Sequence, residues 1–255
     1  MTMSAILWRL ASFGVGILLV LLWQQIANAR LVSPVFLPGP DQAWASLVEG
    51  FDSGSLLPKL SATVLRMIYG WLLASLLGIA LGAMIGMSRA ARTYVGPTLE
   101  FLRPLPAPAI IPLAIAFFGL SEGMVLGVIG FGALWPMLLA TIHGFAAVEP
   151  RLYEVARALG MSRLGIVFKI ALASSLPDIL AGMRLGLTIA LILAVVGEML
   201  TGQDGLGTWI LRAARSFRAA DLFAGVILLG LLGYLSSQML AFVESRALRW
   251  RPRAR

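Results

Sequence analysis

Six stretches of this sequence, at 11–26, 61–87, 98–120, 124–147, 176–200 and 222–243, consist almost wholly of apolar residues. A membrane-crossing helix needs about 20 such residues, and all but the first stretch reach that length. Barrel strands are about 10 residues long and alternate in polarity, which these stretches largely do not. Lipid offers the backbone no hydrogen-bond partners, so helices are the remaining open-chain solution. The expectation is an all-α integral membrane protein with about six transmembrane helices. Composition agrees: 59% of the 255 residues are hydrophobic and 13% are charged. That is about half the roughly 25% charged content of soluble domains. A soluble enzyme, a nucleic-acid-binding domain and a disordered tail are poor readings of such a chain. With no Cys and one His, at 143, thiolate metal sites, disulfides and Cys nucleophiles are excluded.

The net charge of +8 has a membrane explanation. Six spans put both termini on one side. That side then collects 14 of the 20 Lys and Arg with five of the 12 acids, a net +9, and leaves −1 opposite. Basic residues concentrate in the cytoplasm, so both termini are expected there. The plan is a first span with an outer segment over 1–60, a core over 61–245 and a basic tail over 246–255. Arg9, the apolar run Phe13 to Trp23 and Ala27-Asn28-Ala29 also fit a cleaved signal peptide. The bulky Trp23-Gln24-Gln25 before that small-residue site favours a retained anchor.

Three local patterns stand out. Gly78, Gly82 and Gly86 lie on one helical face, where a second backbone can approach closely. Arg103-Pro104-Leu105-Pro106-Ala107-Pro108 cannot be ordinary helix interior. It reads either as a kink at the cytoplasmic end of its span or as irregular backbone beside a translocation path. The segment 148–163 reads as a short charged helix, opened by Pro150 and closed by Gly160, then a second helix from Ser162. It is too short for its own core, so it is expected to dock something. Glu198 is an ionisable residue near the outer end of the fifth span, functional by default but open to a solvated or capping role. His143 is expected to pack as a hydrogen-bonded residue. Arg212, Arg215 and Arg218 share roughly one helix side, as snorkelling or partner-contacting groups or as a guide for an anion.

The helical segment resembles the EAA loop of ABC-transporter permeases. Its residues are Glu154-Val155-Ala156, then Gly160, then Ile170-Ala171-Leu172-Ala173, with Leu176-Pro177 just beyond. Val155 and Ala173 depart from the family's Ala and Pro. Further blocks resemble the nitrate, sulfonate and taurine subfamily: Leu65-Arg66, Phe101-Leu102-Arg103-Pro104-Leu105-Pro106, Ile111-Pro112-Leu113, Gly182-Met183-Arg184-Leu185 and Gly197-Glu198-Met199. The resemblance implies the type I importer permease fold and a multi-pass protein of the bacterial plasma membrane. It implies a coupling loop at about 148–176, with Glu154, Ala156, Arg157, Gly160, Leu176 and Pro177 serving a separate cytoplasmic ABC ATPase. It also implies an extracytoplasmic substrate-binding protein and a second permease copy, as a homodimer. The translocation path would then run at the dimer interface, with Arg103, Pro104, Pro106, Pro108 and Glu198 as candidates.

Neither lysine, at 59 or 169, stands in a phosphate-binding G-x-x-x-x-G-K-[ST] context. The chain is therefore expected to be a transport subunit rather than an enzyme, binding no cofactor and no metal. ATP and Mg belong on the partner ATPase. The alternative, a transporter driven by an ion gradient, calls for midplane carboxylates or broken helices in both halves, and the proline break occurs once. An intramembrane enzyme lacks an acid pair or a Ser/His/Asp set within the spans.

Overall fold

Prolines cause the first departure from six plain spans. In the computed structural model, which describes residues 3–250 with side chains from Gly14 onward, the third apolar stretch is two helices bent by 89°. The helices are α1 (Met3–Asn28), α2 (Pro40–Asp52), α3 (Leu56–Met87), α4 (Arg89–Leu102), α5 (Ala107–Phe118), α6 (Glu122–Ala146), α7 (Pro150–Ala158), α8 (Arg163–Ile166), α9 (Leu172–Thr201), α10 (Leu206–Arg215) and α11 (Ala219–Ala247). A π-helical turn, Val167–Ala171, joins α8 to α9. No strand occurs among the described residues. The side chain of Arg9 and the tail arginines 251, 253 and 255 lie outside the described residues.

Four helical stretches are long and apolar enough to cross a membrane: Leu56–Met87, Glu122–Ala146, Arg163–Thr201 and Ala219–Ala247. The bent pair α4 and α5 makes a fifth if it counts as one span. α5 alone has 12 residues and rises about 18 Å, short of the roughly 30 Å hydrocarbon layer. α1 is the remaining expected span, with Gly14–Asn28 a shorter apolar helix.

The chain packs as two units. One takes the chain to Ser61 with Asp204–Leu231, and the other takes Ala62–Gln203 with the chain from Leu232 onward. In the first unit the end of α1 is tied down. Trp23 Nε1 donates to the Pro38 carbonyl at 3.0 Å, and its ring meets Phe223 at 5.4 Å. Ser46 of α2 donates to Asp221 at 2.6 Å, and Arg218 pairs with Asp221. Arg212, Arg215 and Arg218 are all exposed. α10 buries the opposite side, at Leu206, Ile210 and Ala213.

In the second unit α6 is the central helix. Its partners approach through glycines because helices in lipid gain attraction mainly by close contact. A Cβ on Gly78, Gly82 or Gly86 of α3 would come within 3.0, 2.6 or 2.7 Å of Cβ atoms of Met137, Thr141 or Phe145. From α9, Gly182 faces Ala140 and the Pro136 carbonyl, and Gly186 faces Met137. Trp71 of α3 donates its indole N–H to the Met183 carbonyl of α9 at 2.9 Å. The core between them includes Ile129, Ala133, Met137, Ala190 and Leu193. His143 points outward, exposed on α6, contrary to the expected packing role.

Candidate functional site

The proline break shapes a cavity. Pro106 lies just before α5, and Pro108 occupies an early position where its missing N–H costs nothing. Arg103 ends α4: it keeps helical backbone angles, and its N–H donates to the Leu99 carbonyl at 2.9 Å. Arg103 and Pro108 line a cavity of about 610 Å³ with Gly132, Trp135 and Pro136 of α6 and Ile189 and Leu193 of α9. Pro104 and Pro106 turn the chain but are not among the lining residues. The α6 lining runs from Gly132, near the middle of the 25-residue helix, to Ala140, toward its α7 end. The Arg103 side chain is exposed, and no ion pair joins it to another described residue. An ionisable residue within an apolar stretch is a functional-site candidate by default. Trp135 and Pro136 are contributors that no local motif announced. The one available signal was a proline within an apolar run.

Glu198 has a different setting. It lies five residues beyond Leu193 on α9, about 7.5 Å further along the axis, and does not line the cavity. It is wholly buried. Arg66 Nη1 donates to its Oε1 at 2.9 Å, and Thr63 Oγ1 donates to its Oε2 at 3.0 Å. Arg66 Nε also stands 3.4 Å from Glu122 Oε1, in the first turn of α6. One guanidinium thus links α3, α6 and α9 at the end of α6 remote from α7. A buried charge is tolerated where it is paired and hydrogen-bonded. This is neither the solvated role nor a place beside Arg103.

The coupling segment folds as its sequence suggests. Pro150 opens α7 at its first position. Gly160, at φ +71°, closes it with a Schellman motif: Gly160 N–H donates to the Arg157 carbonyl and Met161 N–H to the Ala156 carbonyl, both at 3.0 Å. Ser162 then caps α8 by accepting from Gly165 N–H at 3.1 Å. Glu154 and Arg157 are exposed. Ala156 is 1% exposed, so its small size serves packing within the chain rather than a fit to a partner. Leu176 and Pro177 are half-buried within α9. What sequence reasoning missed is the outward apolar face: Leu152, Val155 and Leu159 are exposed at i, i+3 and i+7. That spacing was readable but was masked by the surrounding charges. Burial pushes the Tyr153 phenol above its ordinary pKa, with the Arg92 guanidinium pulling the other way.

Residues 55–249 match the model of a family described as "Binding-protein-dependent transport system inner membrane component". The chain is 33% identical to a putative aliphatic sulfonates transport permease protein of Bacillus subtilis, covering 91% of this chain and 84% of the relative. It is 30% identical to the taurine transport system permease protein of Escherichia coli, over 95% of this chain and 90% of that one. Among solved structures, the inward-facing MetNI methionine ABC transporter superposes with a TM-score of 0.67 at 20% identity, covering 78% of this chain and 96% of that chain. At that identity the likeness concerns the fold.

Proposed function

The chain belongs to the family of binding-protein-dependent transport system inner membrane components, and on that premise we propose how it couples ATP hydrolysis to solute passage. It is a membrane-spanning permease subunit of an ABC importer and has the fold of that class. In our reading the α7–α8 turn receives a cytoplasmic ATPase subunit, which carries the ATP and Mg. The supporting observation is the outward apolar face of α7, Leu152, Val155 and Leu159, on a capped helix between two membrane-spanning helices. Burying such side chains against a partner is favourable at about 25 cal/mol per Å². Glu154 and Arg157 flank that face and supply charged contacts. Two copies of the permease, each with an ATPase, would move between inward- and outward-open states as the ATPases close and part.

Both termini would lie in the cytoplasm, where the basic excess falls. An extracytoplasmic binding protein would deliver the solute on the opposite side, near the segment after α1 and the stretch 201–220. The substrate class suggested by the relatives is a small sulfonate or a similar anion. The path would pass the Arg103 cavity.

The test is co-purification of the ATPase with Gly160→Pro and Leu159→Asp permeases, together with ATP hydrolysis stimulated by the binding protein. Both variants should insert into the membrane, lose the ATPase and lose stimulation. Normal ATPase retention and normal stimulation in both would refute the docking role of α7.

A further inference from the structure

We infer that the cavity between α5, α6 and α9 is an oxyanion subsite, with Arg103 as its charge partner. The inference rests on the importer reading above and assigns this permease its own substrate contact, separate from any held by the binding protein.

The argument begins with the inventory of polar side chains. Of the 13 lining residues, only Arg103 and Trp135 have a polar side chain; the others are Leu, Ile, Ala, Gly and Pro. Guanidinium and indole N–H groups are donors without acceptor capacity. Arg103 has no carboxylate opposite it among the described residues. The Trp135 ring forms part of the wall, with its indole nitrogen buried rather than open to the cavity. A pocket whose polar side chains only donate is complementary to a ligand that only accepts. An ionised sulfonate, nitrate or carboxylate has that property. A guanidinium matches two oxygens of such a group in a planar fork, which an ammonium does not.

Two other carboxylate-bearing places do not compete for Arg103. Arg66 already takes Glu198 and Glu122, and Arg184 already takes Glu244. The apolar walls, Leu139, Leu185, Ile189 and Ile192, thin the solvent around the charge and strengthen its pull on an anion. The volume of about 610 Å³ lies within the usual span for small-molecule sites. A short organic tail on the anion would rest on these walls.

The experiment uses the permease–ATPase complex in phosphatidylcholine nanodiscs, without binding protein or ATP. Ligand-observed NMR measures binding of ethanesulfonate and of its uncharged analogue ethyl methyl sulfone. The wild type should bind the anion at least tenfold more tightly than the sulfone. Arg103→Gln should remove that preference, and Arg103→Lys should retain part of it. Leu185→Trp keeps the charge but fills the cavity from an exposed position, and it should also reduce binding. Equal affinity for anion and sulfone, no binding of the anion by the wild type, or an unchanged preference in Arg103→Gln would each overturn the inference. ATP hydrolysis stimulated by the binding protein is measured on the same preparations. Stimulation without anion binding sinks the subsite alone, whereas a wild type without ATPase partnership sinks the importer mechanism beneath it.

Discussion

Gly82→Ala should destabilise the permease although alanine is the better helix former. The new Cβ would stand 2.6 Å from the Thr141 Cβ and 2.8 Å from the Leu138 carbonyl oxygen, both on α6. Carbon atoms prefer about 3.5–4.0 Å, so α3 must move outward by roughly 1 Å or the α6 groups must yield. Neither α6 group yields readily. The Leu138 oxygen is backbone, and Thr141 is held in place by donating its hydroxyl to the Met137 carbonyl at 2.6 Å. Overpacking of this kind costs about 1–3 kcal/mol. The gain from replacing a mid-helix glycine is about 0.5–1 kcal/mol, so the net loss lies within about 0–2.5 kcal/mol and centres on about 1 kcal/mol. Gly230→Ala on α11 is the control, because nothing stands within 4 Å of its added Cβ and only the gain remains. Reversible unfolding of the detergent-solubilised permease should rank Gly82→Ala below wild type and Gly230→Ala level with or above it. Gly78→Ala, whose nearest contact is 3.0 Å, should lose less than Gly82→Ala. If Gly82→Ala and Gly230→Ala were equally stable, close approach of α3 to α6 would not be what the glycines provide.

Glu198→Ala strips the buried Arg66 of its 2.9 Å partner and Thr63 of its acceptor, and should cost about 3–5 kcal/mol in the same unfolding assay. Glu198→Gln keeps an acceptor and should lose less; equal losses would argue against the ionic account. Gly160→Ala forces a side chain into φ +71° with no steric obstacle around it, a backbone cost of about 1–2 kcal/mol confined to the α7 cap. Hydrogen exchange should quicken at the amides of Gly160 and Met161 and remain unchanged in α9; uniform protection would refute the cap assignment. Val155→Glu should leave thermal stability within about 0.5 kcal/mol, since the side chain is exposed, while weakening ATPase co-purification. A retained ATPase would show that the apolar face of α7 is not the contact.

The coupling segment was legible for a physical reason. Its helix start, its glycine stop and the following serine cap are local backbone events, each set by residues within a few positions. The face of Ala156 was not legible, because smallness suits a partner's surface and the chain's own core equally. Only the packed structure turns it inward. The proline break was visible at Arg103–Pro108, yet the 89° bend and the cavity that Arg103 shares with α6 and α9 emerge only in the packed structure.

By itself, the sequence determined what one-dimensional quantities can: apolar length for the spans, basic excess for the expected orientation, glycine spacing for a contact face, and caps for the α7–α8 turn. Tertiary structure alone decided partnerships. Arg66 meets Glu198 across 132 positions of chain, and Arg103 is left without a carboxylate among the described residues while two other arginines of its unit find one. Lipid-compatible helices can be read singly, because each satisfies its own backbone. Which charge meets which depends on how the helices stack, and no local pattern encodes that.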